Sequence, residues 1–76
     1  MTLKFEINEI WENRLGELFQ ITGIMDRGNY PIAATHLRKN YMLRFTYDGA
    51  EVPHLKSDLD LVTYKGVSSD FPEFFL

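Results

Sequence analysis

Tyr41-Met42-Leu43-Arg44-Phe45-Thr46-Tyr47-Asp48-Gly49 decides the fold class of this 76-residue chain. Side chains along a strand alternate between two faces, so Tyr41, Leu43, Phe45 and Tyr47 share one face while Met42, Arg44 and Thr46 share the other. The run ends in Asp-Gly, which supplies the side-chain acceptor and the permissive backbone that a chain reversal needs. It reads as a β-strand with its exit turn, and much of the chain repeats the pattern.

Immediately upstream, residues 30–37 read as a second extended segment. Pro31 confines its start to a strand end or edge, because proline cannot donate to the ladder. Arg38-Lys39-Asn40 joins this segment to the 41–47 strand as a hairpin. Asp26-Arg27-Gly28-Asn29 is a turn by composition, since Gly and Asn tolerate positive φ. Before it, residues 17–25 form a strand with Phe19, Ile21 and Met25 on one face and Leu18 and Ile24 on the other. Being apolar on parts of both faces, it is the candidate for the most central strand.

Nearer the start, Leu3, Phe5 and Ile7 alternate with Lys4, Glu6 and Asn8, the pattern of a short half-buried strand. A helix competes from Asn8 onward, because Asn8 can cap it and Trp11, Leu15, Leu18 and Phe19 fall near helical spacings. Gly16 opposes that helix at a cost of about 1 kcal/mol relative to alanine. Asn13-Arg14-Leu15-Gly16 has instead the composition of a turn. Downstream, Asp48-Gly49 opens a loop that contains Pro53, and residues 59–64 supply the last strand. After Gly66 a polar Ser68-Ser69-Asp70 stretch leads into Phe71-Pro72-Glu73-Phe74-Phe75-Leu76.

Short strands joined by turns predict a mainly β domain over residues 1–67, with an aromatic tail at 68–76. The expected form is a five-stranded meander or a partly open SH3-like barrel, because a two-layer sandwich commonly needs about 100 residues. The apolar fraction of 45%, with 14% aromatic, is ample for one modest core.

Composition narrows the function. The chain has no cysteine, which excludes a disulfide framework, a thiolate metal site and a cysteine nucleophile. Secreted scaffolds of this size usually carry such staples, and the charged opening segment lacks the apolar core of a signal peptide. No apolar run approaches the roughly 20 residues that span a bilayer. A soluble protein of the host cytoplasm, without a membrane partner, is the expectation. Eight Lys plus Arg against eleven Asp plus Glu give a net charge of -3. That balance disfavours a strongly basic nucleic-acid binder and is too sparse in carboxylates for a DNA mimic.

Asp58 and Asp60 lie two apart, so on a strand they share a face and can in principle chelate a hard cation or act as a carboxylate pair. Strand alternation produces the same spacing unaided, with Leu59 and Leu61 inward and both aspartates on the solvent face, so no metal and no cofactor are expected. His36 and His54 are the only histidines. Neither belongs to a motif with a positioned nucleophile and an orienting carboxylate, and no catalytic residue is assigned. Arg38, Lys39 and Arg44 form the one local cationic cluster, with Tyr41 among them. Cations flanking an aromatic ring can bind phosphates while the ring stacks on a base; the preferred alternative is a hairpin end whose cations guard an edge, with Tyr41 buried. Trp11 is expected as a packing centre; exposed, it would mark a binding surface.

The tail is the sharper clue. Phe71, Phe74, Phe75 and Leu76 place three aromatics and a leucine within the last six residues of the sequence. Such a cluster must be covered, by the chain's own domain, by a second copy, or by a host or phage protein. Full burial of each Phe is worth about 1.5–3 kcal/mol.

Four segments, in order, carry a resemblance. Asn13-Arg14-Leu15-Gly16, Gly28-Asn29-Tyr30-Pro31-Ile32, Phe45-Thr46-Tyr47-Asp48-Gly49 and Asp58-Leu59-Asp60-Leu61-Val62 resemble the pattern of a group of small uncharacterised β-rich proteins of phage and prophage genomes. The resemblance covers residues 11–62. It departs at Leu15, where the group often has Asp, and leaves out the aromatic tail. It implies a phage or mobile-element setting and an accessory role, and it assigns no catalytic residue.

The functional expectation is therefore a non-enzymatic accessory protein that binds a host or phage protein, with Phe71, Phe74, Phe75 and Leu76 as the contact. Inhibition of a host process or defence system is its finer form. The alternative is a small nucleic-acid-binding regulator using Arg38, Lys39, Tyr41 and Arg44. A third is a virion assembly component that self-associates through the tail.

Overall fold

A computed structural model describes residues 4–53 and 55–75. Five antiparallel strands, β1 (Glu9–Asn13), β2 (Leu18–Ile24), β3 (Ile32–His36), β4 (Met42–Phe45) and β5 (Leu61–Val67), form one open sheet in the order β4-β3-β2-β1-β5. The mainly β class and the five strands match the expectation, and β2, apolar on both faces, is the middle strand. The β3–β4 hairpin pairs Ile32 with Phe45 and Thr35 with Met42. Its turn closes where the His36 N–H donates to the Tyr41 carbonyl at 2.8 Å, with Asn40 in the left-handed region at φ 59.

One face of the sheet carries the core. Trp11 comes from β1, Phe19 and Ile21 from β2, Ile32 and Ala34 from β3, Phe45 from β4 and Leu61 from β5, with Phe5 laid across them. Trp11 is a packing centre, as expected: its ring meets Phe5 edge-on at 4.6 Å and Tyr64 at 5.7 Å, and its indole N–H donates to Glu9 Oε1 at 3.0 Å. That bond leaves the ring free to bury.

Three details differ from the sequence-based expectation. Residues 4–8 form no strand. Phe5 is buried while Ile7 is 48% exposed, because Asn8 adopts φ 75 and turns the chain, and the Glu9 carboxylate accepts the Glu6 N–H at 2.9 Å. The segment crosses the core to deliver Phe5, and the first strand is Glu9–Asn13 instead. Leu3, expected in the earlier strand, lies outside the described residues.

The second difference is a β-bulge in β2. Pairing runs from Ile21–Ala34 to Gly23–Ala33 and Ile24–Ile32, leaving Thr22 as the extra residue. One inserted residue reverses the alternation that follows it. Ile24 therefore packs on the Phe19 and Ile21 core, and Met25 is exposed, the opposite of the expected assignment.

Third, Asp60 is buried, at 7% exposure, rather than facing solvent; Asp58 is exposed. The Asp60 carboxylate accepts the Glu51 N–H at 2.9 Å and the Ser57 N–H at 3.0 Å, with the Arg14 guanidinium 3.6 Å away. It organises the loop before β5 from within.

That loop closes over the core. The Thr46 hydroxyl donates to the Asp48 carboxylate and accepts the Ala50 N–H at 3.0 Å, setting the turn after β4. At its end Gly49 adopts φ 89, and a Cβ there would sit 2.8 Å from Phe5 Cζ and 2.9 Å from the Leu61 carbonyl oxygen. The Leu61 N–H donates to the Gly49 carbonyl at 2.9 Å, linking the end of the β4 turn to the start of β5, so the sheet curls without closing. Among the described residues no helix is long and apolar enough to cross a membrane.

Candidate functional site

Two turns at one end of the sheet face each other across a cleft of about 240 Å³. One wall is the β1–β2 turn, with Gly16, Glu17 and Leu18; another is the β3–β4 turn, with His36, Arg38 and Lys39; Phe74 of the tail completes the lining.

A relay of hydrogen bonds fixes the walls. Asn13 is buried, and its Oδ1 accepts the N–H groups of Leu15 at 3.0 Å and Glu17 at 2.9 Å. These bonds stand in for the ladder that the turn interrupts. Asn13 Nδ2 donates to Glu17 Oε1 at 3.0 Å, and the other Glu17 oxygen lies 3.2 Å from His36 Nε2. His36 Nδ1 accepts two backbone N–H groups, from Arg38 and Lys39, each at 3.1 Å. With Nδ1 accepting, the proton of the neutral ring sits on Nε2 and is donated to Glu17.

The relay sets the local electrostatics. The Asn13 amide first, and the His36 ring second, hold the Glu17 carboxyl below the usual carboxylate range against the opposing effect of desolvation. Both ring nitrogens of His36 are engaged by these partners, which hold the ring between the two turns. It acts as a strut between the turns. His54 lies outside the described residues.

The tail leaves β5 through Gly66, whose φ is 135 and where a Cβ would come within 2.7 Å of an Asp70 carboxylate oxygen and 3.5 Å of the Phe71 ring. Two single-turn 3-10 helices follow, Ser68–Asp70 and Pro72–Phe74. Asp70 accepts the Val67 N–H at 3.1 Å, folding the tail back toward the sheet. Phe71 and Phe74 are half-buried and Phe75 is 43% exposed. The Arg38 guanidinium lies over the Phe74 ring at 5.2 Å, a cation–π contact. Of the four tail residues expected as a contact, Phe71 and Phe74 are half-buried, Phe75 is exposed, and Leu76 lies outside the described residues.

Of the four residues of the nucleic-acid alternative, Arg38, Lys39 and Tyr41 belong to the β3–β4 turn and Arg44 to β4. Tyr41 packs on His36 at 5.0 Å and on Phe19 at 6.0 Å between ring centroids, which leaves it 38% exposed. Arg44 points to the Tyr30 carbonyl, donating from Nε at 3.0 Å and Nη2 at 2.8 Å. Arg38 covers Phe74, and Lys39 stands beside it on the same turn.

No motif in the sequence marks the Asn13–Glu17–His36 relay or the Gly16–Leu18 wall. Asn13 was visible as a turn residue, but the pairing of positions 17 and 36 follows only from β2–β3 register, where Phe19 faces His36. Compared with known proteins, the chain matches no family model, no curated protein and no solved structure.

Proposed function

We propose that this chain is a non-enzymatic accessory protein of a phage or mobile element, acting in the host cytoplasm by binding a protein surface and inhibiting a host process or defence system. The observation that carries this is the aromatic tail: Phe71 and Phe74 are half-buried on the domain while Phe75 remains 43% exposed. Aromatic side chains, phenylalanine among them, are enriched at protein interfaces relative to the rest of the surface. The strand order, with β1 between β2 and β5, supports an SH3-like scaffold beneath it. The phage setting rests on the resemblance of the four turn and strand segments.

The nucleic-acid reading has less support, because Arg44 and Arg38 are engaged within the chain and Tyr41 packs on His36. The test is affinity capture from host cells with the full chain, wild type against Phe75→Ala. A defined protein retained by the wild type and depleted with the variant is expected. Equal retention by both, or recovery of nucleic acid alone, would overturn the proposal.

A further inference from the structure

We infer that the free edge of β4 pairs with the β4 edge of a second copy of this chain, antiparallel across a two-fold axis, so that one sheet runs through both copies. The inference does not depend on the aromatic tail.

The register of the β3–β4 hairpin decides which backbone groups are free. The His36 N–H donates to the Tyr41 carbonyl at 2.8 Å, so His36 and Tyr41 form a hydrogen-bonded pair. Alternation along an antiparallel ladder then makes Ala34–Leu43 and Ile32–Phe45 hydrogen-bonded pairs as well. The N–H and C=O groups of Met42 and Arg44 therefore point away from β3. Among the described residues nothing pairs with them. The Thr46 N–H, next in the row, is already taken by the Ala50 carbonyl at 2.9 Å.

The devices that blunt a sheet edge sit on the opposite strand. β5 leaves Lys65 and Val62 unpaired in its register with β1, two irregularities that bend its outer edge out of a straight ladder. β4 pairs from Met42 to Phe45 without interruption. Its one charged side chain, Arg44, does not guard the edge either. The guanidinium is drawn toward the β2–β3 turn, where Nε and Nη2 donate to the Tyr30 carbonyl and Nη2 reaches Met25 Sδ.

A second copy fits this edge because the edge is complementary to itself in charge. A two-fold axis at Leu43 sets Met42 opposite the second copy's Arg44, and Arg44 opposite its Met42, which uses every free group and opposes no two cations. The neighbouring registers that keep these groups paired set Arg44 against Arg44, a like-charge clash, or against Asn40, whose φ of 59 takes it out of the strand. At the axis Leu43 meets Leu43, and Met42, 56% exposed in the single chain, gains cover. The edge is short, so the interface belongs to the small, transient class and fills at high concentration.

The experiment is sedimentation velocity on the full chain from about 10 μM to 1 mM. Wild type is expected to pass from monomer toward dimer across this range. Met42→Lys, at an exposed position, sets a cation against each Arg44 and weakens dimerisation about tenfold. Met42→Glu sets a carboxylate there and tightens it about fivefold, although it adds to a net charge of -3 that already opposes association. Phe75→Ala leaves the dimer unchanged. Amide hydrogen exchange reads the same interface without any substitution: the Met42 and Arg44 amides slow as wild-type concentration rises, while Leu43, paired with β3, is protected throughout. A monomer at every concentration, shifts of the same sign in both Met42 variants, or a dimer abolished by Phe75→Ala would overturn the inference. So would exchange at Met42 and Arg44 that ignores concentration.

Discussion

Replacing Gly49 by alanine should remove much of the stability of this domain, and the cost can be worked from two separable effects. At φ 89 an alanine adopts a left-handed backbone, which costs about 1–2 kcal/mol. Its Cβ would also lie 2.8 Å from Phe5 Cζ and 2.9 Å from the Leu61 carbonyl oxygen. Forcing a methyl group into a packed site costs about 1–3 kcal/mol more. The sum, about 2–5 kcal/mol, is a large part of the roughly 4–11 kcal/mol that a chain of this length holds in total. Gly16 isolates the first effect, because it sits at φ 82 with nothing within 4 Å of a Cβ. Urea unfolding followed by Trp11 emission reports directly on the region, since that ring meets Phe5 at 4.6 Å. The expected order is wild type, then Gly16→Ala lower by about 1–2 kcal/mol, then Gly49→Ala lower by about 1 kcal/mol or more beyond that, with an unchanged slope. If Gly49→Ala and Gly16→Ala agree within about 0.5 kcal/mol, the packing of Phe5 and Leu61 against this turn is refuted.

Two further substitutions test the buried polar groups. Desolvation alone would raise the Asp60 carboxyl, but the Glu51 and Ser57 N–H groups and the Arg14 guanidinium outweigh it and hold the carboxyl below the usual range. Its contribution is therefore complete above about pH 4 and is lost as pH falls through the lowered native value. Asp60→Asn keeps only one acceptor for two N–H donors and should cost about 2 kcal/mol at pH 7, a gap that narrows toward pH 2; a gap independent of pH would contradict the assignment. Asn13→Ala leaves the Leu15 and Glu17 N–H groups without their side-chain acceptor. A loss of about 2–3 kcal/mol, seen as a fall in Tm of about 10 °C or more, is expected in a thermal melt, and a fall under about 3 °C would count against the relay.

The parts of the fold legible in the sequence were the local ones. The 41–47 alternation, the Gly-Asn and Asp-Gly turns and the two-faced apolar strand at 17–25 each lie within about nine residues, and strand periodicity needs no more than that. Thr22 was opaque because a bulge leaves no mark in composition: Thr is a good strand residue whether paired or extra. The Leu3-Phe5-Ile7 alternation misled because an aromatic crossing over a core and an aromatic on a strand have the same spacing. Asp60 inverted the Asp-Leu-Asp-Leu pattern because its donors, Glu51 and Ser57, come from a loop whose path alternation does not encode. The tail was legible as an apolar cluster that needed cover. Its seat was not, since Arg38 and Phe74 are 36 positions apart and meet only after the sheet has formed.

The most direct test of protein binding through the tail is a calorimetric titration of the captured partner against wild type and Phe75→Ala at low and moderate salt. The expected result is a Kd weakened about tenfold or more by the substitution, with little dependence on salt. An unchanged Kd, or an affinity that collapses as salt rises because the ligand is a phosphate backbone, would contradict it.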